Sequence, residues 1–259
     1  MARIFITGSA DGLGHLAAKA LIKLGHEVVL HSRNAERGKQ ALDKTAGAEH
    51  VLIADLSSIE ETKTLASKAN AFGRFDAVIH NAGVYQIPKK SISADGLSVL
   101  FAVNSLAPYI LTCLMKKPKR LIYLSSGMHL HGNPDLDNLP VGTYSSVTYS
   151  DTKLHDVILT MAAARKWKDV HANAVDPGWV PTKMGGASAP DNLEEGFQTQ
   201  VWLAVSDDTE ARVSGCYFHH KRQAHYLQAA KDAAIQEKFL ALCEQITGVR
   251  FDDDQVLLP

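Results

Sequence analysis

Cysteine is scarce in this chain, net charge is nearly absent, and no long apolar run occurs. The three cysteines, Cys113, Cys216 and Cys243, are odd in number and far apart. They build neither a disulfide framework nor a C-x-x-C metal pair, so a reducing compartment is expected. Lys+Arg 27 against Asp+Glu 28 leaves a formal charge of −1, which removes the electrostatic basis for binding nucleic acid or an anionic membrane. No stretch approaches the roughly 18 uninterrupted apolar residues of a membrane span. The short apolar run in "MARIFITGSADGLG" leads into a glycine turn rather than a small-residue cleavage site. A cytoplasmic protein with no nucleic-acid or membrane partner is the expectation. What is present is ordinary for a globular domain: 46% apolar and 21% charged residues in a 259-residue chain, enough for one large α/β unit.

Short β-branched runs alternate with helical patterns. Strands are predicted at Arg3–Ile6, Glu27–His31, Val51–Ala54, Ala77–His80, Arg120–Leu124 and His171–Val175, with a seventh near Cys216–His219. Helices are predicted at Leu13–Leu24, Glu36–Thr45, Glu60–Ala71, Ala94–Met115, Ser150–Trp167 and Ala229–Thr247. The strands are near-continuous apolar runs, as strands covered on both faces are. Repeated β–α–β units predict a single-domain, Rossmann-type doubly wound parallel sheet of about seven strands with helices on both faces. Two long loops, Met128–Ser146 and Asp176–Asn192, follow predicted strand ends, where open α/β sheets bind ligands.

The first strand runs into Thr7-Gly8-Ser9-Ala10-Asp11-Gly12-Leu13-Gly14, and a helix follows. Gly8 and Gly12 allow a tight turn that brings backbone amides to a pyrophosphate. Gly14 allows close helix–strand packing, and the helix N-terminus favours the anion. A ligand-free βα turn is the bland alternative. The second strand ends Leu30-His31-Ser32-Arg33-Asn34, with no carboxylate for a ribose 2′-hydroxyl and with an arginine suited to a 2′-phosphate. This favours NADP(H) over NAD(H), unless Arg33 is only a solvated residue at a helix start.

With these residues stand "ADLSS", "HNAG", Asn104, "LIYLSSG", Tyr149-x-x-x-Lys153 and "VDPGWVPTKM". In this order and over nearly the whole chain, the sequence resembles the short-chain dehydrogenase/reductase family. Arg120 to Met184 looks closest to its retinol-dehydrogenase-like and WW-domain oxidoreductase-like branch. The resemblance implies a cofactor site formed by Gly8, Ser9, Asp11, Gly12, Leu13, Gly14, Ser32, Arg33 and Asn34. It adds Asp55 and Leu56 against the adenine, Asn81, Ala82 and Gly83 near the ribose, and Pro177, Gly178, Val180 and Thr182 facing the nicotinamide. It implies a catalytic set of Ser126, Tyr149, Lys153 and Asn104, with Ser125 as the competing serine and a helix-kinking role, before Pro108, as the alternative for Asn104.

Tyr149 and Lys153 share a helix face. A tyrosine pKa near 10 is too high for easy proton exchange, and a neighbouring ammonium together with the positive nicotinamide of the oxidised cofactor is expected to lower it. Tyr149 would protonate the alkoxide during reduction or take the alcohol proton during oxidation, and Ser126 would hydrogen-bond the substrate oxygen. Lys153 would also hold the nicotinamide ribose. Ser126 and Tyr149 stand 23 residues apart, more than in many family members, which fits an excursion beside the active site. Twelve histidines show no zinc spacing, so no metal site is expected. His129 or His131 would line the substrate pocket, and 183–199 would form a mobile lid. The expected substrate is a moderately hydrophobic ketone, aldehyde or alcohol. The competing class is an NADP-binding regulator or sensor without turnover. Monomer, homodimer and homotetramer all stay open.

Overall fold

The computed structural model describes residues 1–88, 91–136 and 142–252. Among them, eight strands form one sheet: β1 (Arg3–Ile6), β2 (Glu27–Ser32), β3 (His50–Ile53), β4 (Ala77–His80), β5 (Arg120–Leu124), β6 (His171–Asp176), β7 (Cys216–His219) and β8 (Arg222–Gln223). Their spatial order is β3-β2-β1-β4-β5-β6-β7-β8. Every pair is parallel except β7–β8, a two-residue antiparallel edge beyond the seven expected strands. The chain winds one way through β1, β2 and β3, then returns to add β4 on the other side of β1. A crevice opens where the strand order reverses, at the carboxyl ends of β1 and β4.

Eight α-helical segments accompany the sheet: α1 (Gly12–Lys23), α2 (Ala35–Lys44), α3 (Ile59–Ala71), α4 (Val99–Phe101), α5 (Ala107–Leu114), α6 (Tyr149–Lys166), α7 (Leu193–Val205) and α8 (Ala233–Thr247). Side chains alternate across each strand. Ile4 and Ile6 pack with Ala17 and Leu21 of α1, Ala41 of α2 and Leu203 of α7. Phe5, between them, faces the opposite core with Leu65 of α3, Ile110 of α5, Val157 of α6 and Phe239 of α8. Both faces are therefore dry.

Besides the last helix, which starts at Ala233 behind its Asp232 cap rather than at Ala229, two expected elements differ. The predicted helix Ala94–Met115 begins only at Val99, because Gly96 takes φ +76° in a turn closed by Gly96 N–H to the Ser93 carbonyl. Within it, Ala102–Leu106 is π-helical. Pro108 has no N–H to give the Asn104 carbonyl, so the α register fails there and a wider turn forms. The predicted lid 183–199 is only half irregular, since α7 starts at Leu193. The Asn192 side chain caps it by accepting from the Glu194 and Glu195 N–H groups, and Glu194 and Glu195 complement the helix dipole. That cap was readable in "DNLEEGF".

Candidate active site

Gly8 and Gly12 turn the chain out of β1 with φ of +62° and +56°. A β-carbon on Gly8 would lie 2.8 Å from the Ala82 Cα, so the turn sits directly on the end of β4. A β-carbon on Gly14 would collide with the Asn81 amide, the group that binds this turn to β4. Asn81 Nδ2 donates to the carbonyls of Thr7 (2.9 Å) and Gly8 (3.2 Å). In return the Thr7 hydroxyl accepts from Asn81 N–H and Ala82 N–H, each at 3.0 Å.

His31, at the end of β2, ties the turn down from the other side. Its Nδ1 accepts from Gly8 N–H at 2.9 Å, which requires the proton on Nε2, and Nε2 lies 3.0 Å from the Ala54 carbonyl of the β3 exit. Burial pushes its pKa down to about 4, so the ring is neutral. Three strand ends thus meet at one buried imidazole. Nothing local in the sequence marks His31 for this role.

A cleft of about 620 Å³ runs over these strand ends. Its wall brings together Gly8, Asp11, Gly12, Leu13, Ser32, Arg33, Asp55, Leu56, Asn81, Ala82, Gly83, Tyr149, Lys153, Pro177 and Thr182 of the expected residues. It also includes His31, Arg37, Ser125 and Lys183, which the sequence reading did not assign to the cofactor. Arg33 is exposed and makes no ion pair among the described residues. Arg37 reaches Asp11 at 3.8 Å, and Lys183 pairs with the same carboxylate at 2.5 Å, which lowers the Asp11 pKa. Positive charge therefore gathers at the α1 end of the cleft.

Other expected residues take places off the cleft wall. Ser9 is fully buried, donates to the Ile6 carbonyl and accepts from His31 N–H. Asn34 caps α2 by accepting from Arg37 N–H. Gly178 forms a turn over Asp191, and Val180 packs inside against Gly196. Asn104, in the π-helical turn, clamps Val84: its Oδ1 accepts from Val84 N–H (2.8 Å), and its Nδ2 donates to the Val84 carbonyl (3.0 Å) and the Thr152 hydroxyl (3.1 Å). The Ser126 hydroxyl accepts from Met128 N–H at the start of a 3₁₀ turn. Ser125 donates to the Lys153 carbonyl at 2.8 Å.

Tyr149 is the first residue of α6, presented by a capping box between Thr148 and Asp151. The Tyr149 ring packs on Tyr85 at 4.6 Å, and Lys153 Nζ lies 5.6 Å from its centroid. Lys153 donates to the Leu124 carbonyl at 2.7 Å and to Asp156 Oδ2 at 2.9 Å. The protein's own groups set the Tyr149 pKa above the ordinary tyrosine value. Burial raises it, Lys153 pulls it down, and Asp156, Tyr85 and Asp176 oppose Lys153.

Exposed apolar side chains follow the central strands: Tyr85, packed on Tyr149, after β4; Met128 and Leu130 after β5; Trp179 and the cleft-lining Met184 after β6. His129 does not line the cleft. It is buried against Tyr217, where its Nε2 accepts from Leu227 N–H and its Nδ1 donates to the Ser126 carbonyl. Part of the long β5–α6 excursion, residues 137–141, lies outside the described residues. Among the described residues no group of His, Cys, Asp and Glu is arranged to hold a metal ion. None of their helices is long and apolar enough to cross a membrane.

Known proteins resemble this chain in sequence and fold. The short chain dehydrogenase family profile matches residues 2–193. An uncharacterized oxidoreductase of Emericella nidulans is 46% identical over 254 residues, covering 96% of this chain and 98% of its own. Mouse retinol dehydrogenase 14 is 29% identical over 288 residues, covering 95% and 86%. Among solved structures, an uncharacterized protein of Mycobacterium paratuberculosis superposes with a TM-score of 0.81 at 24% identity, covering 97% and 95%. The NADPH-dependent 3-quinuclidinone reductase of Rhodotorula rubra does so with 0.63 at 22%, covering 84% and 88%. The glycine turn pinned to β4, the Tyr-x-x-x-Lys helix and these matches lead to one conclusion: the chain belongs to the short-chain dehydrogenase family of oxidoreductases, close to its retinol-dehydrogenase-like branch.

Proposed function

We propose that this enzyme is an NADP(H)-dependent reductase of an apolar ketone or aldehyde, with Tyr149 as the general acid. The observation that carries the reading is one continuous cleft holding the Gly8–Gly12 turn, Arg33 and the Tyr149–Lys153 pair. The turn fits a pyrophosphate: it lies before the N-terminus of α1, and Gly8 leaves no room for a side chain against Ala82. Arg33 and Arg37 supply planar cations for a 2′-phosphate beside Ser32, where a carboxylate would be repelled by it. An NADPH-dependent reductase among the structural neighbours agrees with this preference.

The bound cofactor would supply hydride to the carbonyl carbon. The protein's part is the proton and the position. Tyr149 Oη donates to the oxygen as negative charge develops there, and burial keeps that hydroxyl protonated until it is needed. Lys153 stabilises the phenolate left behind and holds the ribose with the ammonium proton not engaged by Leu124 and Asp156. Ser126, next to the cleft-lining Ser125 and accepting only from Met128 N–H among the described residues, would turn its own proton to the oxygen as the second donor. Asn104 holds the Val84 backbone, which walls the cleft next to Gly83. The exposed Tyr85, Met128, Leu130, Trp179 and Met184 favour an apolar substrate.

The test is NADPH consumption with a panel of apolar ketones and aldehydes, comparing wild type with Tyr149→Phe. Turnover should fall at least about 100-fold, the usual contribution of a positioned acid, while NADPH affinity stays within about threefold. Cofactor binding without turnover in wild type, unchanged by Tyr149→Phe, would instead mark a cofactor-sensing regulator.

A further inference from the structure

Asp156 stands in the middle of α6, where an aspartate contributes little to helix stability and caps nothing. It is 4% exposed, and its partner Lys153 is 5% exposed. The two are three residues apart on one helix face and joined at 2.9 Å. A buried carboxylate is costly unless paired, and its place one turn beyond Lys153 gives it direct hold of the ammonium. Together with the Leu124 carbonyl at 2.7 Å, it fixes two of the three ammonium protons. The remaining one is left for the cleft at Gly83, where a β-carbon would stand 3.6 Å from Nζ.

We propose that Asp156 is a positioning residue for Lys153 that also keeps the Tyr149–Lys153 pair fully protonated through neutral pH. The proposal rests on the reading of that pair as the acid–base centre. Its electrostatic part has one sign whichever group titrates first, because a nearby negative charge opposes proton loss from both. Asp156 lies two helical turns beyond Tyr149, about 10 Å along the axis. At an effective dielectric near 20 a charge at that distance raises proton affinity by about one pH unit, and at Lys153 by more. Tyr123 of β5 faces Asp156 from behind and is held protonated by burial. His155 on α6 turns away to Ser105. His129 of the 3₁₀ turn, Asp176 of β6 and Cys243 of α8 lie on elements packed against α6, and no hydrogen bond or ion pair joins them to Asp156 among the described residues.

The test titrates protein labelled with carbon-13 at lysine Cε and tyrosine Cζ, without cofactor or substrate. The two resonances are assigned by their loss in Lys153→Arg and Tyr149→Phe. In Asp156→Asn the first proton loss seen at either resonance should fall by about one pH unit or more. Asp156→Ser, which admits water beside the ammonium, should move it the same way and carries the test if the asparagine variant does not fold. Asp156→Glu should restore the wild-type titration. A first titration unchanged to within about 0.2 pH unit in the folded Asn or Ser variant overturns the proposal. In turnover, the alkaline limb of kcat/KM for carbonyl reduction should move down by the same interval. A shifted titration in a protein that turns over no carbonyl would leave the ion-pair role standing and defeat the reductase reading instead.

Discussion

Lowering the pH from 7 to 5 should cost this protein much of its stability, through buried imidazoles of which three are held furthest down. His31, His80 and His155 are each at most 4% exposed. Burial holds His31 and His155 at about 4 and His80 at about 3. An unfolded histidine protonates near pH 6.5. Below that pH the unfolded chain binds protons that the folded protein refuses, so stability falls from about pH 6.5 down to the folded values. At pH 5 each ring contributes a loss of about 2 kcal/mol. Asp156 works in the opposite direction. Burial raises it to about 6, so the folded protein takes up a proton first and regains about 1 kcal/mol. The net loss is about 4–5 kcal/mol, against a typical total of about 5–15 kcal/mol. Urea unfolding between pH 7 and 5 measures this directly, and near pH 5.5 the slope should correspond to about two protons taken up on unfolding. His80→Phe, which keeps the stacking on Tyr123, should reduce that by about one proton. A change below about 1 kcal/mol across the interval would mean that the three rings are not neutral and dry in the native state.

Arg33→Ala should weaken NADPH binding by about 10- to 100-fold, the loss of charge-assisted hydrogen bonds to phosphate, and leave NADH binding unchanged. Calorimetry with both cofactors checks this, and an equal loss for both would remove the 2′-phosphate role. Gly8→Ala should destabilise by about 1–3 kcal/mol more than Gly25→Ala, read as the larger drop in Tm. Both positions have positive φ, but only at Gly8 would the new carbon meet a backbone atom, at 2.8 Å. Equal drops would mean that β4 can give way.

Much of the fold was readable because its signals are local. Apolar runs at strand length and glycine at the first βα turn depend on neighbours in the chain, and the observed strands agree with the predicted ones to within a residue or so. The helix holding Tyr149 and Lys153 was equally plain, since four-residue spacing survives any packing. The π-helical turn around Asn104 needed Pro108 to be read as a missing donor rather than as a simple kink. The α7 start at Leu193 was hidden by the glycines and prolines before it, although Asn192, Glu194 and Glu195 form an ordinary cap.

The sequence by itself determined the chemistry on offer: a glycine turn, an arginine after the second strand, and a tyrosine and a lysine one helical turn apart. Only the tertiary structure decided how those groups behave. Charge and burial are set by residues distant in the chain. His31 meets Gly8 and Ala54 across 23 residues each way, and Leu124 reaches Lys153 across 29. Asp156 was always three residues from Lys153, but spacing does not say whether water separates them. The packed sheet excludes that water. Lys153 thereby becomes half of a buried ion pair, and burial sets the Tyr149 pKa above its ordinary value.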